Sequence, residues 1–184
     1  CEMWPGNTTD VKTLIPVIKR LQARFPIKQV CIVADRGMIS SETIEILESP
    51  DNPIPYILGI RMRRVKAIRD KVLSRAGRYE EVRPEGVSSN DPASLKVKEV
   101  MVDDTRYIVC LNPAQARKEA NDRENIVAAL KAQLKKGAKS LVGNKGYRKY
   151  LNVDKDSVRI DTAKLKSEAR FDGKWVLTTN TELS

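Results

Sequence analysis

Apolar positions along this chain follow three patterns, and each predicts a different element. Val11, Leu14, Ile15, Ile18 and Leu21 recur at the spacing of one helix face. Thr9 or Asp10 stands where a side chain caps that helix. Pro16 falls inside the stripe, so the helix either kinks there or starts later than the periodicity alone suggests. Phe25-Pro26 ends it. Val30–Ala34 is an unbroken apolar run rich in β-branched residues, as expected of a strand buried on both faces. Asp35-Arg36-Gly37 breaks that run, and Ser40 or Ser41 caps a second helix with Ile44 and Leu47 turned inward. After a loop from Pro50 to Pro55, Tyr56–Ile60 is another buried strand. Helix, strand, helix, strand with short links is α/β organisation, and it predicts that the two strands run parallel.

The pattern changes after Ile60. Val65, Ile68, Val72 and Leu73 suit a short amphipathic helix laced with basic residues. Residues 84–94 read as an exposed loop, and Leu95–Val102 with Arg106–Leu111 as a hairpin turning at Asp103-Asp104-Thr105. Asn112 caps a long polar helix to about Lys136, with Ile126, Val127, Leu130 and Leu134 as its buried side and Gly137 as its stop. Gly143-Asn144-Lys145-Gly146 is a turn, Val158–Ile160 a short strand, and Asp161 the cap of a helix to Arg170. Phe171-Asp172-Gly173 then turns the chain into a last strand, Lys174–Thr179.

Composition narrows the chemistry. The 184 residues are 41% hydrophobic and only 5% aromatic, so the core is built from Ile, Val and Leu. The absence of histidine excludes imidazole acid–base and triad chemistry from this chain. Cys1, Cys31 and Cys110 lack metal-ligand or disulfide spacing; Cys31 and Cys110 lie in apolar runs and read as small core residues of a reduced, cytosolic protein. No apolar run is long enough to span a membrane, and no signal-peptide pattern opens the chain. Cys1-Glu2-Met3-Trp4 reads as the tail of a strand already under way, and Ser184 directly follows a strand-like run, so the chain is expected to be an internal fragment. The net charge of +10 is concentrated: residues 1–60 carry six Lys/Arg against seven Asp/Glu, residues 61–184 carry 28 against 17. Such a basic excess suits either an anionic partner, most commonly nucleic acid, or a merely soluble surface.

Asp35 is the strongest candidate for chemistry. A carboxylate at the carboxyl end of a buried strand lies at the crevice where open α/β sheets place their sites, and it is a natural oxygen donor to Mg²⁺. Asp35-Arg36-Gly37 also serves simply as a turn into the next helix. The basic runs Arg61–Lys71 and Lys135–Lys149 offer phosphate contacts, notably Arg61, Arg63, Arg64, Lys145 and Arg148, or solvated surface charge.

Three segments carry a resemblance: Trp4-Pro5-Gly6-Asn7-Thr8-Thr9-Asp10, then Val33-Ala34-Asp35-Arg36-Gly37-Met38, then Phe171-Asp172-Gly173-Lys174-Trp175-Val176-Leu177-Thr178-Thr179-Asn180. In this order and with similar spacing they resemble bacterial insertion-sequence DDE transposases of the subgroup with a β-rich insertion between the second Asp and the Glu. Gly143-Asn144-Lys145-Gly146-Tyr147-Arg148 is similar to that subgroup as well. The resemblance implies an incomplete ribonuclease H-like core of retroviral integrase type, residues 1–61, a mixed α+β insertion over 62–171, and a strand returning to the core over 172–184. It makes Asp35 the second catalytic Asp and a ligand of Mg²⁺ or Mn²⁺, and puts the first Asp and the Glu outside this chain, leaving the fragment inactive by itself. The parent would cleave and transfer strands of double-stranded DNA, at transposon ends and target, as a cytoplasmic, nucleoid-associated homodimer without membrane contact. Arg36 becomes a candidate contact to the scissile strand, or a local ion-pair partner. Trp175 becomes a candidate for stacking on an extruded base, or a core residue. The rival readings are a non-catalytic basic nucleic-acid-binding module, in which Asp35 has no role, and a small α/β phosphotransferase or hydrolase. The latter is disfavoured by the lack of a Gly-rich phosphate loop.

Overall fold

The computed structural model describes residues 3–25, 30–83, 86, 95–136, 148–153 and 157–181. These form helices α1 (Leu14–Arg24), α2 (Ser41–Leu47), α3 (Pro113–Lys136) and α4 (Thr162–Ala169). The strands are β1 (Ile32–Ala34), β2 (Tyr56–Ile60), β3 (Glu80–Val82), β4 (Leu95–Val102), β5 (Thr105–Leu111), β6 (Leu151–Val153), β7 (Val158–Ile160) and β8 (Lys174–Thr179). Six of them share one sheet in the order β1-β2-β8-β5-β4-β3, and β6 pairs with β7 in a second. The fold is therefore α/β with a mixed sheet: β1 runs parallel to β2, and β8 runs antiparallel to it.

The chain divides into two compact units. The first comprises Cys1–Glu80, Val97–Cys110 and Trp175–Ser184, the second Glu81–Lys96 and Leu111–Lys174. The span 62–171, expected as one insertion, is thus shared between them.

In the first unit a Pro5–Thr8 turn, closed by a 2.8 Å hydrogen bond from the Thr8 amide to the Pro5 carbonyl, leads into a short 3₁₀ turn at Asp10–Lys12. Helix α1 begins only at Leu14, which leaves Pro16 in the first turn, where its missing N–H has no intrahelical partner to lose. Neither Thr9 nor Asp10 caps through its side chain; the Asp10 carbonyl instead accepts from the Thr13 hydroxyl at 2.7 Å. Phe25 is extended, as a residue before proline must be. Ser40, rather than Ser41, caps α2, its Oγ accepting from the Thr43 amide at 3.1 Å. Leu14 and Ile18 of α1 and Leu47 of α2 pack on Ile32, Ala34, Tyr56 and Leu58.

The Val30–Ala34 run is not buried on both faces. Its strand is shorter, Ile32 and Ala34 face the helices, and the pleat turns Val33 outward, where it is 75% exposed. β1 ends the order of the sheet, and of its three apolar residues only Val33 has no cover among the described residues. Cys31 is likewise exposed and not a core residue, whereas Cys110 is buried and burial pushes its thiol up to about 11.

The β4–β5 hairpin closes through Asp103 and Asp104 with φ of 50° and 59°. Two successive left-handed residues are the signature of the tight turn whose twist matches antiparallel strands, and aspartate tolerates that backbone better than most. Within Ile68–Val72 the helical bond widens, the Leu73 amide reaching back five residues to the Ile68 carbonyl at 2.9 Å.

In the second unit Asn112 caps α3 by accepting from the Gln115 amide at 3.0 Å, and Leu130 is wholly buried against Tyr150 and Leu151. Asp161 caps α4 through the Lys164 amide at 2.8 Å. β3 and β6 were not anticipated: each is three residues long and has no turn signal of its own. The Gly137 stop, the 143–146 turn with Lys145, and nearly all of the 84–94 loop lie outside the described residues.

Candidate functional site

Parallel pairing of β1 and β2 brings both carboxyl ends to the same side of the first unit. Asp35 follows β1 directly, and Arg61 follows β2. Asp35 is exposed; its Oδ1 accepts from the Arg36 amide at 2.7 Å, and its carbonyl accepts from the Met38 amide at 3.0 Å. The carboxylate thus caps the tight Arg36–Met38 turn, and the turn role and a ligand role are compatible because one oxygen suffices for the cap.

Gly59 was missed from sequence, and it shapes this corner. A Cβ on Gly59 would stand 3.0 Å from the Arg36 nitrogen and 3.4 Å from Asp35 Oδ1. Glycine here is what lets the Asp35-Arg36 step lie against the neighbouring strand. A glycine inside an otherwise bulky apolar strand, Tyr56-Ile57-Leu58-Gly59-Ile60, is the signal that marks such an approach.

Beyond β2 the chain turns tightly, the Arg64 and Val65 amides both donating to the Arg61 carbonyl at 3.0 and 3.1 Å. Met62 is buried and anchors the turn, which leaves Arg61, Arg63 and Arg64 exposed around it. With Arg36 they line a cleft of about 270 Å³. Arg36, Arg61 and Arg64 make no ion pair among the described residues, so three guanidinium groups share one concavity without a paired acid of their own. Farther along the same basic run Arg69 pairs with Asp70 at 2.8 Å and Lys71 with Asp103 at 2.7 Å.

β8 is fixed to β2 by the residues of its own motif. Thr179 Oγ1 donates to the Tyr56 carbonyl at 2.7 Å, Asn180 Oδ1 accepts from the Tyr56 amide at 2.8 Å, and Asn180 Nδ2 donates to the Ile54 carbonyl at 3.1 Å. Val176 and Thr178 are buried while Trp175 is 40% exposed, so Trp175 is not a core residue. Arg148 is exposed in the second unit. In that unit Asp172 is held by a bidentate pair with Arg123, and the Gly173 amide donates to Glu119 at 2.9 Å. Asp172 therefore has a structural partner.

Asp35 is a hard oxygen donor of the type Mg²⁺ or Mn²⁺ takes, and it fits as one ligand. No cluster of three Asp, Glu, Cys or His able to hold a metal occurs among the described residues. No helix among them is long and apolar enough to cross a membrane. No protein-family model, curated protein or solved structure matches the chain.

Proposed function

We propose that this chain is part of a DDE transposase with an incomplete ribonuclease H-like core, in which Asp35 supplies one of three carboxylates and the arginine cleft receives a DNA phosphate. The observation that carries the reading is the cleft beside Asp35: Arg36 and Arg61–Arg64 crowd positive charge against a carboxylate at the ends of two parallel strands. Arg36, Arg61 and Arg64, like charges brought together with no ion pair of their own among the described residues, favour an anion, and their guanidiniums offer the forked donor geometry that phosphate oxygens accept. Arg36 would hold the phosphate closest to Asp35, since the two are adjacent and their step is pinned by the turn. Gly59 keeps that step in place. Divalent metal, when bound, would supply activation of the attacking oxygen and stabilisation of the leaving one. The first Asp and the Glu would come from chain outside these residues, and double-stranded DNA, target and transposon ends, would be the substrate of a homodimer in the bacterial cytoplasm.

The motif resemblance adds to this reading, because Asp35-Arg36-Gly37, which follows β1, and Trp175–Asn180, which runs along β8 and past its end, belong to the same unit. The test uses a chain extended in both directions to include the other two carboxylates. Asp35→Asn should abolish Mg²⁺-dependent cleavage at the transposon ends while leaving duplex affinity nearly unchanged, because it removes a metal ligand with almost no change in bulk. Cleavage at the parent rate would make Asp35 a turn residue and leave the non-catalytic DNA-binding module as the better reading.

A further inference from the structure

A second cavity opens from the same two arginines. It encloses about 370 Å³ between α2, β2, β5 and β8 of the first unit, and Arg36 and Arg61 line both it and the arginine cleft. We infer that this cavity is a nucleotide subsite: a nucleoside phosphate places its phosphate on Arg36 and Arg61 and its base in the cavity.

Three features select that class. Small-molecule sites of this kind are roughly 300–1,000 Å³ and mostly apolar, and apolar surface predominates in this cavity, with the hydroxyls of Ser40, Ser41, Thr105 and Thr178 among it. Ile44, Ile60 and Ile68 give apolar walls and Tyr107 an aromatic one, which suit a flat ring better than a flexible chain. Tyr56, wholly buried, also lines the cavity and donates its hydroxyl to Glu48 Oε1. Burial first, and then that hydrogen bond to a carboxylate, hold the Tyr56 hydroxyl well above its ordinary pKa, so it stays protonated and keeps the carboxylate fixed. The remaining Glu48 oxygen is an acceptor for an exocyclic amine, while its charge repels a second phosphate. The ligand is therefore oriented, base toward Glu48 and phosphate toward the arginines.

The inference rests on the reading of the cleft as a DNA phosphate site and adds to it a base. The nucleotide can be free or can be an unpaired residue of a DNA strand, and the experiment separates these sources. The ¹⁵N-labelled chain is titrated with dAMP, and its affinity is measured for two duplexes of equal length, one fully paired and one with a single unpaired adenosine. The unpaired duplex should bind about tenfold more tightly at the same salt, the worth of one stacked base. Ser41→Trp and Val65→Trp, at exposed positions on the rim, should each erase that preference and leave binding to the paired duplex and its salt dependence unchanged. Two rim variants guard against one misfolding. Shifts of the Ile44 and Ile60 amides on adding dAMP assign the site to free nucleotides as well; a preference for the unpaired duplex without them assigns it to DNA. Equal duplex affinities with no dAMP response, or a preference that survives both rim variants, overturn the inference. Failure of the paired duplex to bind at low salt would instead overturn the DNA reading, and the dAMP arm would still decide the cavity.

Discussion

Gly59→Ala should displace Asp35 without unfolding the protein. The new methyl would sit 3.0 Å from the Arg36 nitrogen, and that neighbour is backbone, so no side chain can swing away. Restoring an ordinary contact of about 3.4 Å needs about 0.4 Å of movement in the Asp35-Arg36 step. Overpacking of this kind costs about 1–3 kcal/mol. Gly59 is not among the glycines with positive φ, so alanine suits its backbone, and the smaller entropy of the unfolded chain returns about 0.4–1 kcal/mol. Urea denaturation should therefore show a net loss of about 0–2.6 kcal/mol, centred on about 1.3 kcal/mol. A misplacement of 1 Å costs catalysis about 100-fold, so 0.4 Å scales to about sixfold in cleavage by the extended chain. Amide shifts in ¹⁵N spectra should be largest at Asp35 and Arg36. Gly59→Val, with two further methyls, should be worse in every measurement. An alanine variant of parent stability, with the Asp35 and Arg36 amides unmoved, would refute the close approach as the reason for glycine at this position.

Arg123→Ala should cost about 2–4 kcal/mol in urea denaturation, because it strands Asp172, whose side chain is 13% exposed, without its bidentate partner; a loss below about 1 kcal/mol would show the pair to be idle. DNA affinity should fall steeply with salt, and Arg36→Ala and Arg61→Ala should each lower the slope of log affinity against log salt by about one, as expected for one phosphate contact. An unchanged slope would remove that arginine from the interface. A thiol reagent at pH 8 should modify Cys31 promptly and spare Cys110 until the chain unfolds, because a thiol at about 11 is scarcely ionised there. The same shift makes the Cys110 contribution to stability fully present below its unfolded value near 9 and lost as pH rises toward about 11. A melting temperature insensitive to Cys110→Ser across that window would contradict it.

Local instructions were legible in the sequence. Turn and cap residues act on backbone within four positions of themselves, and so Ser40, Asn112, Asp161 and the Asp103-Asp104 turn mark elements that form where expected. Periodicity with short links likewise gave parallel β1 and β2, because a right-handed crossover through α2 leaves little alternative. Asp35 at a strand end followed from the same logic. What lay beyond reach was everything settled between distant segments. An apolar run such as Val30–Ala34 carries no statement of whether one face or two will be covered; the rest of the sheet decides, and it leaves Val33 and Cys31 exposed. The antiparallel docking of β8 on β2 depends on Thr179 and Asn180 meeting Tyr56 more than 120 residues away. The arginine cleft was present in sequence only as a basic run. Tertiary structure selected among its members, giving Arg69 and Lys71 acidic partners and leaving Arg61 and Arg64 to share a concavity with Arg36. Charge in a sequence is a sum, whereas a binding site is a distance, and only the folded chain fixes distances between residues that are far apart along it.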